Sequence, residues 1–118
     1  MQLQKIEIKK GTKIEYSSKE LLFLAKSGQP YRGSLYVKFT SLGDTIELTS
    51  FKKYITSLRD KTLNAEDIAY EIYETIVSVI NVNDLGIVVD LTARGGLQQR
   101  LTFGTEFTPV SKNNIFQI

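Results

Sequence analysis

The chain has no cysteine and no histidine among its 118 residues. Without cysteine there is no thiol nucleophile, no disulfide framework and no thiolate metal site. Without histidine there is no imidazole base and no Ser-His-Asp device. A metal site built from carboxylates alone is not suggested either. Glu66 and Asp67 are adjacent and so do not share a helix face. A Ser-Lys pair stays open, with no motif pointing to one. Neither GxxxxGK nor GxGxxG occurs, so there is no phosphate-cradling loop. No apolar run reaches the ~20 residues of a membrane span. The start, Met1-Gln2-Leu3-Gln4-Lys5, is not followed by the apolar stretch of a signal peptide. The expectation is a soluble, cytoplasmic protein with no membrane partner and no bound metal.

What is present is ordinary for a folded domain. An apolar fraction of 42% and a charged fraction of 24% suit a globular chain, which excludes wholesale disorder. The length fits one domain over residues 1–118, with a C-terminal tail over about 108–118. Fifteen basic against thirteen acidic residues leave a formal charge of +2, with the two signs mixed along the chain. A nucleic-acid binder carries a basic stripe instead, so that partner is not expected. The densest basic cluster, Lys5, Lys9, Lys10 and Lys13, is interrupted by Glu7 and Glu15 and reads as a solvated strand edge.

Periodicity predicts strands, then two helices, then strands. Residues 3–9 read as a strand ended by Gly11, and residues 14–16 begin a return strand. Ser27-Gly28-Gln29-Pro30 is a loop. Over residues 32–40, Leu35, Val37 and Phe39 point to one face and Tyr36, Lys38 and Thr40 to the other. Gly43-Asp44 is a turn, and residues 45–48 form a short strand. A first helix is predicted over residues 50–59, with Phe51, Tyr54, Ile55 and Leu58 on one stripe. A second begins with Asn64 as its cap, Asp67 completing a capping box and Leu63 stapling onto Ile68. Its stripe is Ile68, Ala69, Ile72, Tyr73, Ile76, Val77 and Ile80. Two strands close the chain, with Leu85, Ile87, Val89 and Leu91 on one face and Leu97, Gln99, Leu101 and Phe103 on the next. Arg94-Gly95-Gly96 joins them as a tight turn. The fold class is α+β, an antiparallel four-stranded sheet with two helices layered on one face.

Read together, several segments resemble one family. The eight residues Leu24-Ala25-Lys26-Ser27-Gly28-Gln29-Pro30-Tyr31 fall where that family has a loop C-P-x-T-G-Q-P-D. Glu47 through Tyr54 fall on its E-S-K-S-L-K-L-Y, and Ser57-Leu58-Arg59-Asp60 on its S-F-R-N. Asn64-Ala65-Glu66 replaces F-H-E, and Arg94-Gly95-Gly96 keeps R-G-G intact. Over roughly residues 20–104 the chain thus resembles the nitrile reductases of queuosine biosynthesis, which reduce 7-cyano-7-deazaguanine with NADPH. The resemblance implies the tunnelling fold, in which subunits join their sheets into a barrel and bind purines or pterins between them. A homo-oligomer and a purine-like small-molecule ligand are the implied partners.

The departures are as informative as the matches. The family cysteine adds to the nitrile carbon to form a thioimide, and here Leu24 stands in its place. The family aspartate donates a proton to the developing amine, and here Tyr31 replaces it. A tyrosine near its ordinary pKa of ~10 is a poor general acid. With no cysteine elsewhere, NADPH-dependent reduction and thioimide-based amidation are both expected to be absent, and no catalytic residue is assigned. What the resemblance leaves is part of a purine site: Glu66 as the base-reading carboxylate, Ala65 where a histidine would be, and Ile46, Glu47 and Leu48 along the ligand. Of the cofactor contacts, Lys52 and Arg94 remain while Thr49 has replaced a lysine, so no cofactor is expected.

Each residue also has a plainer reading. Glu66 suits a helix start through the macrodipole. Arg94-Gly95-Gly96 suits a hairpin, Glu47 a solvated strand and Lys52 the polar side of a helix. The expectation is a divergent relative that binds a 7-deazaguanine, purine or pterin. The alternatives are a purely structural or interaction protein on the same scaffold, or an enzyme of different chemistry in which Tyr31, Glu66 and Lys26 or Lys52 converge.

Overall fold

The period-two stretches become strands because alternation lets one face pack while the other meets solvent. In the computed structural model, which describes residues 3–109, the order is β1 (Lys5–Glu7), β2 (Lys13–Leu24), β3 (Pro30–Ser41), β4 (Asp44–Ile46), α1 (Leu48–Ser57), α2 (Ile68–Val77), β5 (Val82–Arg94) and β6 (Leu97–Gly104). Strands β2-β3-β5-β6 form one antiparallel sheet in that order. In its middle, Leu35 pairs with Val89 and Val37 with Ile87, all four buried. Ile68, Ala69, Ile72 and Ile76 of α2 and Phe51, Tyr54 and Ile55 of α1 join them in one core. Each such large apolar side chain contributes about 1.5–3 kcal/mol by leaving water. The predicted α+β layering, helices on one sheet face, is what forms.

Four local features depart from the sequence reading. First, residues 17–24 continue β2 rather than breaking it. A register shift between Ser18 and Leu21 inserts an extra residue, so Ile14 and Tyr16 before it and Leu21 and Phe23 after it pack on one face out of phase. A period-two count across the bulge fails for that reason. Second, the N-terminal strand is only Lys5–Glu7 and pairs with β4 in a separate two-stranded sheet.

Third, α1 begins at Leu48, two residues early, because the Glu47 carboxylate caps it. Its Oε2 accepts from the Thr49 N–H and its Oε1 from the Ser50 N–H, each at 2.8 Å. The helix closes in a 3-10 turn over Leu58–Asp60. Fourth, the capping box before α2 does not form. A 3-10 turn, Ala65–Asp67, intervenes. The Asn64 amide there donates to Asp67 Oδ2 at 3.3 Å instead of the Asn64 side chain capping a backbone N–H. The helix ends at Val77, so Ile80 reaches the core from the turn beyond it.

The hairpin between β5 and β6 matches its sequence. Gly95 and Gly96 have φ of 59° and 82°, the left-handed pair that a two-residue turn of primed type needs.

Candidate functional site

One end of the sheet gathers several of the residues singled out from the sequence. The turn between β2 and β3 is closed by the Ala25 N–H donating to Gln29 O and the Gly28 N–H to Ala25 O, both at 2.8 Å. Gly28 has φ of 89°, which a side chain would resist. Leu24, at the end of β2, is half-buried. Its N–H donates to Lys61 O at 2.9 Å, and its carbonyl accepts from the Leu63 N–H at 2.8 Å. These bonds tie the turn to the segment that runs into Ala65 and Glu66. Tyr31, on the other side of the turn, stacks on Phe23 with ring centroids 5.2 Å apart and packs against the core.

Ala65 is buried and Glu66 beside it is exposed. The Glu66 carboxylate is held by β6, with Gln99 Nε2 donating to its Oε2 at 3.0 Å. That amide first, and the residue's own backbone N–H second, hold the Glu66 carboxyl below the ordinary glutamate range. At neutral pH it is an ionised, exposed carboxylate anchored to β6. Gln99 was not singled out from the sequence. The signal was there, because Gln99 is the polar interruption in the otherwise apolar face Leu97, Leu101 and Phe103.

The other predicted site residues lie elsewhere or are otherwise engaged. Ile46 is buried in β4 and Leu48 is exposed at the start of α1. Glu47 spends its carboxylate on the helix cap, and those two backbone N–H groups hold it below the ordinary range. Tyr54, which ends the same segment, is a core residue. Burial pushes its hydroxyl up to about 12, and it meets Thr75 Oγ1 at 3.3 Å across the two helices.

Lys52 is exposed on α1 and borders a groove of about 350 Å³ against β2, with Tyr16, Ser17 and Thr56. Neither Tyr31 nor Glu66 lines that groove, so Lys52 is not brought to them. Arg94 ends β5, and its side chain lies outside the described residues. Of the predicted tail only residues 108 and 109 are described and the rest lies outside the described residues; just before it, Phe107 lies against Gly86 and under the Lys38 ammonium, 5.8 Å from its ring centre. Among the described residues there is no cluster of three acidic side chains that could hold a metal ion. No helix among them is long and apolar enough to cross a membrane.

A family model described as QueF-like protein matches residues 30–108. The NADPH-dependent 7-cyano-7-deazaguanine reductase of Wolinella succinogenes is 31% identical over 72 residues, 61% of this chain and 58% of that protein. The protein of the same name from Sulfurimonas denitrificans is 32% identical over 72 residues, again 61% of this chain and 58% of the relative. The matched region is therefore less than two thirds of those relatives' length. Among solved structures, the apo archaeosine synthase QueF-Like superposes with a TM-score of 0.70 at 14% identity, covering 87% of this chain and 100% of that one. At that identity it is the fold that is shared.

Proposed function

The chain belongs to the QueF-like protein family, and from that premise we propose that it is a divergent member that binds a 7-deazaguanine, purine or pterin without reducing a nitrile. The observation that carries this reading is the anchored, ionised and exposed carboxylate of Glu66 at the sheet end that also holds Leu24 and Tyr31. A carboxylate accepts from two adjacent ring N–H groups at once, which is the donor pattern such bases present. The reaction of the family needs a nucleophile and an acid. Leu24 offers no nucleophile, and the half-buried Tyr31 ring is stacked on Phe23. NADPH, named for the relatives, is not needed for binding alone, and the groove beside Lys52 is separate from Glu66.

The ligand site is proposed to lie between subunits, with a second copy supplying the wall that one copy lacks around Glu66. The test is calorimetric titration with 7-cyano-7-deazaguanine, guanine and a pterin. Binding that Glu66→Gln weakens at least tenfold supports the reading. Binding untouched by Glu66→Gln, or none by any of the three, sinks it.

A scaffold reading is favoured by two observations. Glu47 is consumed as a cap, and Tyr31 closes over Phe23. It predicts a stable assembly indifferent to all three ligands. For an enzyme of different chemistry, the version that uses Lys52 has less support than the one that uses Lys26, because neither Tyr31 nor Glu66 lines the groove that Lys52 borders.

A further inference from the structure

The bulge in β2 does more than shift a register. It sets Lys19 and Glu20 together opposite the single residue Ser34 of β3. Bulges re-aim side chains, and here both residues border a groove of about 520 Å³. Arg32 enters it from β3 and Arg59 from the 3-10 turn after α1, while Asp90 and Gln98 stand across from them. None of Lys19, Arg32 and Arg59 makes a side-chain hydrogen bond or ion pair with a described residue.

The carboxylates present do not neutralise the three cations. Asp90 is already satisfied, accepting from Gln98 Nε2 and from Arg100 Nη2 at 2.9 Å each. Burial works against its charge, and the bonds from Arg100 and Gln98 outweigh that, so it titrates below the ordinary range as a committed ion-pair partner. That leaves Glu20 alone against three cations. Like charges gathered in one concavity repel each other unless an anion joins them.

We propose that this groove binds the phosphate group of a small anion, a phosphate ester or a free inorganic phosphate, with Arg32 and Arg59 as the main contacts and Lys19 as a supporting charge. Guanidinium groups match a phosphate with paired donors, where a lysine acts as a point charge. The volume lies within the usual range of small-ligand sites, about 300–1,000 Å³. No aromatic side chain borders the groove, so it offers no platform for stacking a base and reads the phosphate instead. The site shares no residue with Leu24, Tyr31 and Glu66, so it stands independently of the purine reading.

Titration of the full chain with inorganic pyrophosphate at low salt tests this. Arg32→Ala and Arg59→Ala should each weaken binding about five- to tenfold, and binding should weaken as salt rises. Glu20→Gln, which removes the one opposing charge not already paired, should tighten it. Lys52→Ala, in the other groove, should leave it unchanged. Unliganded melting curves check that every variant folds, and the gain from Glu20→Gln cannot arise from misfolding. Adenosine monophosphate distinguishes the source. If it binds as well as pyrophosphate, the groove takes phosphate esters. Binding of pyrophosphate alone assigns it to free inorganic phosphates. No binding of either, equal binding of sulfate, or affinity unchanged in the Arg32→Ala/Arg59→Ala double variant overturns the proposal.

Discussion

Leu24 is held by its backbone, with its N–H on Lys61 and its carbonyl on Leu63. Its position therefore does not depend on its side chain, and Leu24→Cys should fold normally. If the pocket still accepts the ligand of its relatives, that thiol meets the nitrile carbon of 7-cyano-7-deazaguanine. The thiolate adds to that carbon, the nitrogen takes up a proton and nothing leaves. Intact mass should then rise by the mass of the ligand in Leu24→Cys, near pH 8.5 where about half of an ordinary thiol is ionised, and stay constant in the parent protein. A well-folded variant that gains no mass would count against a retained pocket.

Glu66 permits a sharper check. Gln99→Leu removes its amide donor, so the Glu66 carboxyl should titrate higher, toward the ordinary glutamate value, by carbon-13 NMR. Because the folded pKa is depressed, the stability this pair contributes is present above the ordinary glutamate pKa. It is lost as pH falls through the folded value. The parent should thus lose its stability advantage over Gln99→Leu in that acid window. An unchanged Glu66 titration would show that the bond is not made in solution. Glu66 was legible in the sequence as a carboxylate beside a helix start, whereas Gln99 sits 33 positions away. Only the pairing of β5 with β6 brings it within reach.

The elements were legible where one period rules and illegible where a side chain or a bulge overrides it. Leu35, Val37 and Phe39 in β3 and Ile87, Val89 and Leu91 in β5 are buried as their alternation predicts. In β2 the bulge reverses the phase between Ser18 and Leu21, so the strand looked shorter than it is. The start of α1 was hidden because glutamate is not a usual cap, and Glu47 read as a strand residue. Its two bonds to Thr49 and Ser50 N–H make a direct prediction. Glu47→Ala should lower the urea midpoint with no change in slope, the signature of lost stability without altered compactness. Glu47→Gln, which keeps an amide oxygen as acceptor but loses the charge, should fall between the two. If Glu47→Ala is as stable as the parent, the cap is not formed and the carboxylate is free for a ligand.

At the scale of the whole molecule, the sheet order β2-β3-β5-β6 leaves β2 and β6 as its two outer strands. Each has a backbone edge with no strand beside it among the described residues, and such edges invite pairing with another chain. Lys13, Glu15 and Lys19 protect part of β2, but β6 carries Leu97, 76% exposed, and Phe103, 37% exposed. Phe103 is partly covered by edge-to-face contacts with Tyr70 and Tyr73. Leu97 has no comparable cover, and its burial by a second copy would remove apolar surface from water.

The expected outcome is an assembly whose mass by light scattering is a multiple of 13.3 kDa. Leu97→Lys should shift it toward the single-chain mass without lowering helix content. The same experiment bears on the ligand. A site completed between subunits requires purine affinity to fall as Leu97→Lys dissociates the assembly. A monomer that binds 7-cyano-7-deazaguanine as tightly as the assembly would place the whole site within one chain, leaving Glu66, Gln99 and their immediate neighbours to account for it.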